Sequence, residues 1–357
     1  MKPRVIAFYL PQFHPIPEND MWWGKDFTEW TNVRKAKPLF PGHYQPRVPA
    51  DLGYYDLRVS EIREAQADMA REAGIEGFCY WHYWFGNGKR LLEQPFNEVL
   101  ESGKPDFPFC LAWANDTWKQ KMWHSEGDDI VLIEQQYLGE ADYIDHFYTL
   151  LPAFKDKRYI KIDGKPLFMI YQPLANPEIN KFINIWRRLA EENGLLGIYF
   201  VGHFFYSKRV NFYKFSKYGF DAINTINIFE YARNKKFIVY ALWRIFSSQP
   251  YIVSYKKALE YFFNKNIDVH ENVFPTIITG WDHTPRSGKH GIVMEDYTPQ
   301  IFMEHVKNVL ENTRHKRNNI IFLKSWNEWA EGNYIEPDKK YAKQYLEVLS
   351  KVIHFSE

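Results

Sequence analysis

Ile320-Ile321-Phe322-Leu323-Lys324, followed at once by Ser325-Trp326-Asn327-Glu328-Trp329-Ala330-Glu331-Gly332, is the stretch on which the fold reading turns. A short apolar run that breaks into aromatic, amide and acidic residues reads as a buried strand ending in a loop. Seven segments of the same kind precede it: Val5 to Leu10, Gly77 to Trp81, Phe109 to Trp113, Leu167 to Tyr171, Ile198 to Gly202, Ala222 to Ile226 and Phe274 to Thr279. Apolar residues at three and four spacing predict helices over Val59 to Ala73, Leu91 to Ser102, Ile179 to Asn193, Tyr255 to Asn264, Pro299 to Asn312 and Tyr341 to Ile353. Gly74 and Gly194 stand where left-handed caps are wanted, and Pro177 and Pro299 stand near helix starts. Eight strands alternating with helices predict an α/β chain, a single (β/α)8 TIM barrel with long βα loops and one domain over 1–357. The stretch from Pro11 to Arg58, before the first helix, is one such loop, those after the third and sixth strands are also long, and long loops in a compact domain are usually functional.

Charge narrows the class of partner. Lys+Arg is 45 and Asp+Glu 44, a net charge of +1, which excludes a protein built to neutralise phosphates and so a nucleic-acid partner. Aromatic residues make up 18%, with 13 Trp, 24 Tyr and 28 Phe, more than a core requires and far from a disordered composition. Cys79 and Cys110 lie in apolar strands and cannot form a disulfide framework, so a reducing compartment fits. Val5 to Leu10 is too short for a signal segment, and no run approaches the ~18 to 20 apolar residues that span a bilayer. A cytoplasmic protein without a transmembrane segment is expected, a leader removed beforehand being the alternative.

The catalytic face of such a barrel lies at the carboxyl ends of its strands. Those ends supply Tyr9, Gln12 and His14; Trp81, His82 and Tyr83; Trp113, Asn115 and Trp118; Tyr171; His203; Trp281, Asp282 and Arg286; and Asn327. Aromatic faces beside amides, imidazoles and carboxylates suit a sugar, whose C–H face lies on a ring while its hydroxyls take forked hydrogen bonds. Any one of the Trp or Tyr residues serves equally well to plug the barrel mouth. No Walker loop and no strand-following G-x-G-x-x-G is present, and no cofactor is expected.

Glu328 and Glu331 are the sharpest feature. Three apart, they share a face only if the chain turns, which brings their Cβ atoms to about 5 to 6 Å. Two carboxyls so close repel when both are ionised, and Trp326 and Trp329 add desolvation, so one should hold a proton near neutrality. An acid beside a base is what glycoside cleavage requires, and close carboxyls favour retention of configuration. Acids near a helix start give the same spacing with no chemistry.

These residues resemble the WbsX-like proteins of bacterial polysaccharide gene clusters, which are related to glycoside hydrolase family 99. The resemblance is carried by Phe8-Tyr9-Leu10-Pro11-Gln12-Phe13-His14-Pro15, Trp22-Trp23-Gly24 with Phe27-Thr28-Glu29-Trp30-Thr31-Asn32-Val33, Gly77 to Phe85, Gly280-Trp281-Asp282-His283-Thr284-Pro285-Arg286 and Asn327 to Gly332. It implies a barrel that is an endo-acting, retaining glycoside hydrolase on α-mannosyl-like linkages of a polysaccharide or oligosaccharide. In that scheme Glu328 takes a proton from the sugar 2-hydroxyl, O2 closes on the anomeric carbon as a 1,2-anhydro intermediate, and Glu331 is the general acid and then the base. The pattern departs at Asn115-Asp116-Thr117-Trp118, where Asn-Glu-Asn-Trp is usual, and at Ala330, where the hydrolases commonly carry His.

Other classes stay open at this level. A glycosyltransferase or transglycosylase of lipopolysaccharide or capsule assembly, and a non-catalytic glycan-binding barrel, are the alternatives. None of the 12 His shows H-E-x-x-H spacing, so hydrogen bonding to sugar is preferred over metal ligation for His14, His82, His203 and His283, and no metal is expected. Phe229 to Lys265 holds seven Lys/Arg against Glu230 and Glu260 around the apolar run Phe237 to Trp243. A solvated helical insertion is the preferred reading there, ahead of a dock for an anionic glycan or peripheral contact with a membrane.

Overall fold

The apolar runs become the strands of one closed sheet. The computed structural model describes residues 2–120, 129–205, 212–231, 243 and 247–355. Strands β1 (Arg4–Tyr9), β2 (Ile75–Trp84), β3 (Phe109–Trp113), β4 (Lys165–Ile170), β5 (Tyr199–Phe205), β6 (Ala222–Ile226), β7 (Val273–Ile278) and β8 (Ile320–Lys324) pair in parallel, each with the next. Pairing of β8 with β1, in register from Arg4 with Ile320 to Ala7 with Leu323, closes the (β/α)8 barrel.

Helices are α1 (Pro17–Trp23), α2 (Glu29–Lys35), α3 (Ser60–Glu72), α4 (Gln94–Ser102), α5 (Glu140–Lys155), α6 (Ile179–Glu192), α7 (Phe212–Lys217), α8 (Tyr255–Phe262), α9 (Thr284–Ser287), α10 (Pro299–Thr313) and α11 (Gln344–Phe355). Helix α6 shows why they form: Ile179, Phe182, Ile183, Trp186, Leu189 and Ala190 recur at helical spacing and are all buried. Pro299 opens α10 after Thr298, whose Oγ1 accepts from the Ile301 N–H at 3.4 Å. Gly74 follows α3 at φ +80°, a region other residues enter at a cost.

Helix α5 is the longest element the apolar pattern did not announce, the short helices α1, α2, α7 and α9 being the others. It carries Pro152 one turn from its end and buries polar Asp142 and His146 beside Tyr143, Phe147, Leu150 and Phe154. Pro152 and those polar positions blur the stripe that marks a helix in sequence.

Two apolar layers follow from strand alternation. Inside the barrel, Phe8 stacks on Trp81 at 4.9 Å and lies 5.1 Å from Phe322. Outside it, Trp186 of α6 packs on Phe168 at 4.7 Å. The long first loop carries α1 and α2, and the third forms a hairpin of Trp118–Gln120 with Ile130–Ile133. Of the basic segment, 232–242 and 244–246 lie outside the described residues, and Lys256 and Lys257 sit on α8. Among the described residues, no helix is long and apolar enough to cross a membrane.

Candidate active site

The loop after β8 is shaped by its own polar side chains. Asn327–Glu328 pairs antiparallel with Asn333–Tyr334, and Trp329–Glu331 makes one 3-10 turn between them. Ser325 Oγ donates to the Asn333 carbonyl at 2.6 Å and accepts from the Glu328 N–H at 3.0 Å. Gly332 closes the turn at φ +62°, where an added Cβ would lie 2.7 Å from Asp282 Cβ, so only glycine fits against that neighbour. The Asp282 N–H donates to the Glu331 carbonyl at 2.7 Å and ties the turn to the loop after β7. The turn the spacing demanded is therefore made by a hairpin tip, not by the start of a long helix.

That turn sets Glu328 and Glu331 side by side, each with a carboxyl oxygen within 3.6 Å of one ammonium. Glu328 Oε1 accepts from Trp81 Nε1 at 3.1 Å. Glu331 Oε1 accepts from Arg286 at 2.6 Å and its Oε2 from Asn333 Nδ2 at 3.2 Å. Lys324 Nζ stands 3.5 Å from Glu328 and 3.6 Å from Glu331. Arg286 also contacts Glu29 of α2 at 2.9 Å, so the first loop buttresses the guanidinium from behind.

These neighbours divide the pair. Burial, and then the charge of Glu331, push the Glu328 carboxyl up to about 7. Burial acts on Glu331 in the same direction, but Lys324 and Arg286 outweigh it and hold that carboxyl well below the ordinary range. The proton expected on one of the two thus rests on Glu328 when no glycan is bound, whereas the resemblance would have it on Glu331.

Trp81, Tyr83, Tyr171, His203, Trp281 and Arg286 gather with the pair. Tyr171 stacks on His203 at 5.3 Å and meets Trp81 edge-on at 5.6 Å. Burial raises the Tyr83 phenol, as does the charge of Glu328 beside it. Trp118 extends this wall, 5.1 Å from Tyr83 and 5.9 Å from Trp22. Trp281 stacks on His283 and lies 5.9 Å from Lys324 Nζ. His203 Nδ1 meets Asn224 Oδ1 at 2.7 Å, and Asn224 Nδ2 is committed to the Phe274 carbonyl and Thr276. Burial lowers His203 to about 3, so it is neutral, with the proton on Nδ1 and Nε2 left as an acceptor.

The structure turns Tyr9, His82 and Trp113 away from the mouth. Side chains alternate along a strand, so the neighbours of inward residues turn to the helices. Tyr9 donates to Gln66 of α3 at 2.6 Å, His82 Nε2 meets His146 Nε2 of α5 at 2.8 Å, and Trp113 donates to the Trp84 carbonyl at 3.0 Å. His14 is buried with Nδ1 on the Pro11 carbonyl at 3.0 Å. Half-buried Gln12 accepts from the Glu29 N–H through its backbone carbonyl at 2.9 Å.

Three more candidates act as braces. Asn327 clamps both backbone groups of Leu10, at 2.7 and 3.0 Å, and Asn115 bridges Gln172 and Tyr137. Asp282 accepts from His43 at 2.9 Å, Gln45 at 2.6 Å and Thr284 at 2.6 Å. Burial opposes its charge, yet the His43 hydrogen bond and Arg47 hold it at about 2. His14, His82, His203 and His283 point to separate partners, and among the described residues no group of three metal-ligating side chains gathers.

Sequence reading missed Lys324 and Glu29 as site residues. Lys324 was legible as a charge ending an otherwise apolar strand, and Glu29 lay within a quoted motif with nothing to aim it at Arg286.

The family described as Glycosyltransferase WbsX matches residues 5–349. Two curated relatives, both described as uncharacterized protein WxcX, from Xanthomonas campestris pv. campestris strains B100 and ATCC 33913, are 32% identical over 98% of this chain. The chain spans about half the length of these relatives, 49% of each. A family 99 endo-α-mannosidase of Bacteroides thetaiotaomicron bound to bis-tris-propane superposes at TM-score 0.62, covering 99% of this chain and 97% of that one at 16% identity. A glycoside hydrolase-like protein superposes at 0.60, covering 99% and 94%, also at 16% identity. At that identity the likeness concerns the fold.

Proposed function

Starting from a chain that belongs to the WbsX glycosyltransferase family, we propose that it cleaves or transfers glycosidic linkages within an oligo- or polysaccharide with retention, through Glu328 and Glu331. Two carboxyls drawn together around the Lys324 ammonium at the barrel mouth carry this reading. Retention through an enzyme nucleophile needs carboxyls roughly 5 to 5.5 Å apart, on opposite sides of the reacting carbon. The scheme that the family 99 resemblance implies instead draws the nucleophile from the substrate: a 2-hydroxyl trans to the leaving oxygen, as in an α-mannosyl-like unit.

The steps balance with one shared proton. As the glycan enters, the proton of Glu328 crosses to Glu331. Glu328 takes the proton of O2–H, the O2–C1 bond forms, and the C1–O bond to the leaving sugar breaks as Glu331 protonates that oxygen. Water then attacks C1 while Glu331 takes its proton, the O2–C1 bond opens, and Glu328 returns its proton to O2. In the second reading, favoured by the family's description, a sugar hydroxyl replaces water in the last step.

Glu331→Gln tests the assignment. Turnover of substrates with poor leaving groups should fall by about 10²- to 10⁴-fold while aryl glycosides with activated leaving groups are partly spared. Equal losses on both substrates would count against Glu331 as the acid, and turnover of a 2-deoxy glycan by the unmodified protein would defeat attack by O2.

A further inference from the structure

We infer that Lys324 is the positioning residue of this carboxyl pair, its ammonium bridging Glu328 and Glu331 at 3.5 and 3.6 Å and limiting them to one shared proton. Its bearing on catalysis rests on the reaction proposed above. The last residue of β8, it shares the inward face with Phe322, two residues before it, and its side chain is only 10% exposed. Trp281 lies beside the ammonium at 5.9 Å.

Charge balance gives the reason. Glu328 lies after β8, Glu331 on the hairpin tip and Glu29 on α2, while Arg286 comes from α9. His283 beside α9 and His203 from β5 also face the cluster, the latter neutral, and the Tyr83 and Tyr171 phenols are held in their uncharged form by burial. With His283 uncharged, three carboxyls facing two cations, Arg286 and Lys324, reach neutrality with one added proton. That state holds one acid and one base, as the two-carboxyl chemistry requires. Without the lysine charge, one cation faces three carboxyls, a second proton is drawn in, and the base is lost.

The test titrates protein labelled with 13C-glutamate at its side-chain carboxyls, without substrate. In Lys324→Met the Glu328 midpoint should rise by at least about one pH unit, and Lys324→Arg should return it to within about half a unit of the unmodified protein. At pH 7, kcat/KM of Lys324→Met should fall at least about tenfold, recovering as pH is raised. A folded Lys324→Met with an unmoved titration overturns the inference. Should Lys324→Met fail to fold, Lys324→Met with Glu328→Gln removes the excess charge and should fold. Failure of that double variant also overturns the inference. An unmodified protein that turns over no glycan defeats the proposed reaction, while the titration still decides the role of Lys324.

Discussion

Glu328 and Glu336 sit on the same loop, and burial pushes each carboxyl up to about 7. Their surroundings share little else. Glu336 Oε2 accepts from Trp329 Nε1 at 2.6 Å and Tyr55 at 2.8 Å, and Oε1 accepts from Gln66 at 2.7 Å. Three neutral donors fill it, and Tyr9 completes the network through Gln66. Glu328 has one neutral side-chain donor, Trp81, a bridging ammonium, and a second carboxyl in reach. A raised carboxyl is therefore no mark of chemistry by itself. What separates the two is whether the remaining lone pairs are already spent on the protein.

The largest expected effect contrasts the pair directly. Glu328→Gln should lower turnover by about 10²- to 10⁴-fold with little change in Tm, whereas Glu336→Gln should keep most activity and lose about 1 to 3 kcal/mol of stability. The loss arises because the new amide aims a donor at donors. Parallel kinetics and thermal melts on both variants check this, and matching phenotypes would erase the distinction.

Next is the dependence on pH. Activity needs one proton on the pair, so kcat/KM should decline as pH rises through about 7, where Glu328 ionises, and hold through mild acid because Glu331 stays charged there. Stability follows the same sign at Glu336. Its folded-state value lies above that of an unfolded glutamate, about 4.3, so its stabilising contribution is complete below that value and is lost as pH rises through about 7. Melting between about pH 4.5 and 7.5 should show a fall in Tm that Glu336→Gln reduces. Asp282, held at about 2, runs the other way and loses its contribution only in strong acid.

The smallest effect belongs to the outer edge of the Glu336 network. Tyr9→Phe deletes one hydrogen bond to Gln66 and should cost about 1 kcal/mol with kcat/KM unchanged. A large kinetic change would mean that the network reaches the mouth after all.

Much of this was legible in the residues. The eight apolar runs announced the barrel because buried parallel strands must be continuously apolar, and Glu328 with Glu331 announced a turn because their spacing demands one. Strand ends were a coarser guide. Taking Trp81, His82 and Tyr83 together ignored the alternation that sends His82 to His146 while its neighbours face the lumen. Asn327 and Asp282 sat at the right height in the barrel, yet spend their polar atoms on Leu10 and on His43, Gln45 and Thr284.

By itself, then, the sequence determined the barrel, the position of the acidic turn after the last strand and the aromatic wealth around it, since periodicity and spacing are local properties of the chain. Tertiary structure alone decided which carboxyl carries the proton. Arg286, Glu29 and Lys324 come from three separate stretches of chain, and their charges act through distances of 2.6 to 3.6 Å that only the closed barrel sets.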